Sequence, residues 1–190
     1  PTWPPGWRLT ATDGMNETIR IGRETGIRVV GSHIKAKGPT TWGQSATDVM
    51  AINRARAEGV QVYLDQYPYE TFGGGSVEVV PRFYYAPVGT ERSGGFDDPM
   101  WNRRDFAPNY KTNLQAHLDD PVLREELITD TQYIIDLQGG AERHIIVQAP
   151  SDHLVGRTLQ DVADEHDMSP VDMAIHFAIA MGTPQNRSGV

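Results

Sequence analysis

The chain contains no cysteine. That excludes disulfide staples, thiolate metal sites and a cysteine nucleophile. Any metal ion must therefore be held by histidine and carboxylate, a donor set suited to zinc or another divalent ion. No apolar run approaches the roughly 18–20 residues that a membrane helix needs, and mean hydropathy is -0.46. An excess of basic charge is also missing: 17 Lys and Arg stand against 25 Asp and Glu, for a net charge of -8. Nucleic-acid binders draw affinity from Lys and Arg on phosphates, so this balance argues against that class. The opening "PTWPPGWRLT" lacks the basic-then-apolar grammar of a signal peptide. The expected compartment is the cytoplasm, with no membrane and no nucleic acid as partner.

What is present is an alternating grammar of helix, glycine and strand. A helix is expected to start near Thr12 or Asp13, with Met15, Ile19 and Gly22 on one face and Gly26 as its stop. "IRVVGSH" follows as a buried parallel strand. Ser45 and Asp48 read as a capping box opening a second helix, with Val49, Ile52 and Ala55 or Arg56 on its inner side. Gly59 ends that helix, and "VQVYLDQYPY" reads as the next strand. This αβαβ rhythm belongs to a parallel sheet or barrel.

From Thr71 to Thr112 the rhythm breaks, amid "GGG", "SGG", four prolines and several aromatics. Such a stretch reads as an insertion or lid. Order returns with Asp120 as a cap and Pro121 at a first helical position, then "RHIIVQAP" as a third strand. Thr158 with Asp161 forms a further capping box, and Ser169 with Pro170 opens a last helix stopped by Gly182. The expected organisation is 1–70 barrel strand–helix units, 71–117 an irregular insertion or lid, and 118–190 further barrel-associated helices and a strand.

In a parallel α/β barrel the chemistry gathers at the C-terminal ends of the strands. His33 and Lys35 sit at the tail of the first strand, and Asp65, Tyr67 and Tyr69 at the tail of the second. His33 reads either as a zinc ligand or as a hydrogen-bonded structural histidine. Lys35 reads either as the partner of a substrate carboxylate or as a solvated loop residue. Asp65 reads as a substrate contact, as support for a metal ligand, or as an acceptor for a neighbouring backbone amide. Tyr67 and Tyr69, flanking Pro68, either line a pocket or pack beneath the insertion. His117, His144, His153, His166 and His176 have no metal-ligand spacing, and no Gly-x-Ser-x-Gly elbow occurs.

Several of these segments together resemble the N-acyl-D-amino-acid deacylases (D-aminoacylases) of the amidohydrolase superfamily. The pattern is the Ser-His-x-Lys of "GSHIKAKG", a Trp-Gly, a helix ending Ala-Arg-x-x-Gly, the Asp-x-Tyr-Pro-Tyr of "DQYPY", and the helix pair "GRTLQDVADEHDMSPVDMAI". The resemblance covers most of residues 16–70 and 120–182. It implies a partial TIM-like barrel with an irregular insertion, an α/β class, and zinc or another divalent ion. It implies metal-assisted hydrolysis of the amide of a small N-acyl-D-amino acid, with His33 as the metal ligand at the end of the fifth barrel strand. Lys35, Asp65, Tyr67 and Tyr69 would face substrate.

The family's first-strand His-x-His pair and eighth-strand aspartate have no counterpart here, and "ETFGGGS" departs from the family's small-residue continuation after the second tyrosine. The chain is thus expected to be an internal fragment, inactive alone, with no catalytic residue of its own. Two other readings stand beside this one. Hydantoinase- or dihydroorotase-type amidohydrolases carry a carbamylated lysine at a strand end, and Lys35 stands at a different place. A non-catalytic α/β binding domain is the reading outside the enzymes.

Overall fold

The computed structural model describes residues 11–73, 79–90, 109–149 and 151–180. The chain divides into two compact units, with the break between Thr71 and Phe72.

In the first unit, helix α1 (Ala11–Thr25) leads to strand β1 (Val29–Gly31), and helix α2 (Ser45–Ala57) to strand β2 (Val62–Leu64). Met15 and Ile19 of α1, Ile52 and Ala55 of α2, and Val60 and Val62 form one buried cluster. Both helices stop at a glycine in the left-handed region, Gly26 at φ 71° and Gly59 at φ 91°, where a Cβ would be strained. Gly22 serves a different purpose. A Cβ there would lie 2.9 Å from Val29 Cγ2 and 3.0 Å from Val60 Cγ1, so α1 reaches the strand layer only because this side chain is absent.

Two expectations for these helices fail. Thr12 and Asp13 lie inside α1, not ahead of it. Ser45 and Asp48 form no capping box: Gln44 holds the N-cap position with helical angles, φ -64° and ψ -23°, and no side-chain cap bond. A box needs an extended residue at that position; here the chain winds in from a 3-10 turn at Pro39–Thr41. Asp48 instead points inward, 3% exposed, and accepts from Thr12 Oγ1 at 3.0 Å. On the inner side of α2, Ile52 and Ala55 are buried as expected, whereas Val49 is 48% exposed.

β1 and β2 pair in parallel, Val29 with Val62, Val30 with Tyr63 and Gly31 with Leu64. The ladder runs beyond the strands, through Asp65 N to Gly31 O at 3.1 Å and Ile34 N to Asp65 O at 3.0 Å. One face packs on the helices. On the other, Val30 and Tyr63 are exposed, with the Arg28 and Arg56 guanidinium groups 6.0 and 5.5 Å from the Tyr63 ring centroid.

The second unit is mainly helical, with α3 (Tyr110–Asp119), α4 (Pro121–Leu137), α5 (Leu159–Glu165) and α6 (Pro170–Ala180). Its core joins Leu114, Leu127, Ile135, Leu159 and Phe177 with Val80 and Tyr84 from the irregular stretch. Val79, Val80, Tyr84 and Tyr85 therefore pack as core, with a 3-10 turn at Arg82–Tyr85. Helix α3 starts at Tyr110, inside the span expected to be irregular to 117. The glycines at 74, 75, 94 and 95 lie outside the described residues, as does the stop at Gly182.

Three of the caps read from sequence are present. Asp120 Oδ1 accepts from Val122 N at 2.9 Å and Leu123 N at 3.2 Å, with Pro121 in the first turn. Thr158 and Asp161 exchange both bonds of a capping box, at 3.0 and 3.1 Å. Ser169 Oγ accepts from Asp172 N at 3.0 Å ahead of α6.

"RHIIVQAP" is not a strand among the described residues; it makes one antiparallel bridge, Ile145 to Thr158. Its alternation is real, since Ile146 is buried at 1% while Ile145 and Val147 are 41% and 60% exposed. Its partner is residues 156–159, through Ile146 N to Arg157 O at 2.9 Å, Gly156 N to Ile146 O at 2.7 Å and Leu159 N to His144 O at 2.8 Å, a pairing too short to make a strand. The observed class is mixed helix and strand, and the described residues contain two parallel strands, not a closed barrel.

Candidate functional site at the strand ends

Parallel, in-register pairing brings the tails of β1 and β2 side by side. Past Gly31 the backbone kinks: His33 sits at φ 57°, in the left-handed region, which is unfavourable for a residue with a Cβ. Opposite it, the Asp65 carboxylate accepts the His33 main-chain N–H on Oδ1 at 2.6 Å and the Ser32 hydroxyl on Oδ2 at 2.5 Å. These bonds favour the ionised form. The His33 amide foremost, then the Ser32 hydroxyl, holds the Asp65 carboxyl below the ordinary carboxylate range; desolvation opposes this, and the charges of His33 and Lys35 add smaller contributions.

The His33 imidazole is exposed and lies edge-on to the Tyr67 ring, centroids 5.5 Å apart at 72°. Its ring nitrogens have no hydrogen-bond partner among the described residues. Lys35 Nζ donates to the His33 carbonyl oxygen at 2.6 Å and stands 5.0 Å from the Tyr67 ring centroid. Tyr67 is half-buried, while Tyr69, 6.0 Å from it, is 73% exposed. Four of the five residues singled out from sequence thus form one cluster, and Tyr69 joins it through Tyr67. Ser32 was missed. Its signal was a hydroxyl beside a strand-end histidine, facing a strand-end aspartate across the pair.

The other histidines lie elsewhere. His117 is buried, with Nδ1 2.9 Å from the Asn113 carbonyl. His144 is held between the Gly140 carbonyl and Gln138 Oε1, each at 2.9 Å. His153 pairs with Ser151 Oγ at 2.6 Å. His166 caps the C-terminus of α5, where a cation suits the helix dipole, and His176 is on the exposed side of α6. Among the described residues no three His, Asp or Glu side chains converge to hold a metal ion. No described helix is long and apolar enough to cross a membrane.

No family model matches the chain. Over 68 residues it is 45% identical to the N-acyl-D-glutamate deacylase of Alcaligenes xylosoxydans xylosoxydans, a stretch amounting to 36% of this chain. The chain covers 13% of that relative's length. A solved N-acyl-D-glutamate deacylase from Bordetella bronchiseptica, complexed with zinc and a phosphonate mimic of the tetrahedral intermediate, superposes with a TM-score of 0.47 at 21% identity, over 84% of this chain and 22% of that one. The likeness to an N-acyl-D-glutamate deacylase thus rests on those 68 residues.

Proposed function

We propose that this chain forms part of a metal-dependent amidohydrolase that cleaves the amide bond of N-acyl-D-amino acids, with its strand pair belonging to a TIM-like barrel. One observation carries the reading. His33, Lys35, Asp65 and Tyr67 converge at the C-terminal ends of two parallel strands, where such barrels place their chemistry. The chain also has 45% identity to an N-acyl-D-glutamate deacylase over 68 residues.

His33 fits a zinc ligand: its imidazole is exposed and its ring nitrogens have no partner among the described residues. It is one donor where a catalytic zinc takes three, so at least one further ligand comes from outside the described residues. A divalent ion held there would supply Lewis acidity toward a water and toward the amide carbonyl. The chain's own residues handle substrate. Lys35 offers a cation beside the histidine for the α-carboxylate of the amino acid, an interaction strengthened by charge. Tyr67 walls the site beside that cation, and Tyr69 extends the wall toward solvent. Asp65 frames the floor between Ser32 and His33.

The test is metal analysis of the full-length protein with a panel of N-acetyl-D-amino acids, D-glutamate first. His33→Ala is expected to reduce bound zinc and lower turnover by orders of magnitude, while His166→Ala changes neither. Equal effects at both positions would remove the assignment of His33.

A further inference from the structure

We infer that Asp65 is a positioning residue for His33, acting on its backbone and not on its ring. The inference rests on the reading of His33 as a metal ligand. The His33 backbone is held from both sides. Its N–H is taken by Asp65 Oδ1 at 2.6 Å, and its C=O accepts from Lys35 Nζ at 2.6 Å. The second carboxylate oxygen takes the hydroxyl of the preceding residue, Ser32, at 2.5 Å. One carboxylate just past β2 therefore spans both residues of the kink that leaves β1. The next residue returns to the ladder through Ile34 N to Asp65 O at 3.0 Å, so Asp65 holds the departure with its side chain and the return with its main chain.

The imidazole, by contrast, is free of protein hydrogen bonds among the described residues. In an extended strand, successive side chains alternate between faces. The left-handed residue at φ 57° breaks that alternation and resets the direction in which the ring leaves the chain. A left-handed conformation on a residue with a Cβ persists only when its surroundings impose it. A surface histidine with no task needs neither the kink nor a carboxylate to enforce it. Metal-bound histidines are commonly oriented by a bond to the second ring nitrogen. Here the orientation is set through the main chain, which leaves both ring nitrogens open.

Four variants of the full-length protein test this: Asp65→Ala, Asp65→Asn, Ser32→Ala and His33→Ala. Zinc affinity is measured by chelator competition, and the His33 backbone angle by its amide-to-Hα coupling. Asp65→Ala is expected to weaken zinc binding about 10–100-fold, the usual cost of losing an orienting partner, and to shift the His33 coupling toward extended values. Asp65→Asn keeps an oxygen that accepts the His33 N–H, so it should restore both the coupling and most of the affinity. An Asn variant as poor as Ala would overturn the inference, because the charge would then matter and not the hydrogen bond.

If Asp65→Ala does not fold, Ser32→Ala removes only the second contact, and a smaller loss of zinc affinity in the same direction is expected. Unchanged affinity in Ser32→Ala would then overturn the inference. Should Asp65→Ala bind zinc normally while His33→Ala loses it, the positioning role fails and the functional reading stands. Should His33→Ala bind zinc normally, the functional reading itself fails and takes this inference with it.

Discussion

The hydroxyl of Thr12 on α1 donates to the carboxylate of Asp48 on α2 at 3.0 Å, and Asp48 is 3% exposed. A buried anion deprived of a donor costs more than the bond itself contributes, about 1–3 kcal/mol or more for a charged group. Thr12→Ala, which strands the carboxylate, is therefore expected to destabilise the first unit by roughly that amount. A double-mutant cycle with Asp48→Ala, read by denaturant melts, should return a clear coupling energy. Additive losses would show that the bond does not join the helices energetically.

Lys35 is expected to act on substrate binding more than on turnover. Lys35→Met in the full-length protein should raise KM for an N-acyl-D-amino acid about 10–100-fold, the range set by a hydrogen bond to a charged group, with a smaller change in kcat. Steady-state kinetics on an acid and on its carboxamide should separate the two: the variant loses its preference for the acid.

Acid should loosen the second unit at α5. The Thr158 hydroxyl, then its amide, holds the Asp161 carboxyl below its ordinary value of 3.8. The Arg157 hydrogen bond, then its charge, holds Glu165 below 4.5. A carboxyl with a lowered folded value binds fewer protons in the native state. Its stabilisation is complete above the ordinary value and is lost as pH falls through the lowered one. Stability should therefore be flat above about pH 5 and decline below about pH 4. In Asp161→Asn that decline should be shallower by one titrating group, as read in a series of thermal melts. Both groups are exposed, so the effect is small.

Tyr84→Phe keeps the shape of a fully buried ring but removes the hydroxyl that donates to Asp130 Oδ2 at 2.7 Å. The loss is expected to be about 1–3 kcal/mol in the second unit, from a buried carboxylate short of one donor. Zinc affinity should be unaffected, which separates this core contact from the strand-end cluster.

Much of the local structure was legible because short-range chemistry decides it. Asp120–Pro121, Thr158 with Asp161, and Ser169–Pro170 each satisfy helix-end amides with groups at most three residues away, and all three are present. Gly26 and Gly59 stop their helices for the same local reason. Asp48 was misread because its partner, Thr12, lies 36 residues away, and spacing alone cannot distinguish a cap from an inward-facing acid.

"RHIIVQAP" carries a true alternation, but its neighbour, residues 156–159, pairs with it for a single bridge before α5 begins, and no single segment encodes that length. At the candidate site, reading the strand tails brought forward His33, Lys35, Asp65 and Tyr67, since the tails of parallel strands must lie together. What could not be read was the kink at His33 and the part played by Ser32, because both depend on where one carboxylate stands across the pair.

The missing side chain at Gly22 reaches further than its own helix. Because nothing projects there, α1 settles directly against Val29 and Val60, and Val29 begins the short strand that ends two residues before His33. Adding even a methyl group would wedge the helix off the root of that strand, and a lever only a few residues long would carry the displacement to the imidazole at its tip. The reach of the site is gauged from behind, by an atom the chain does not have.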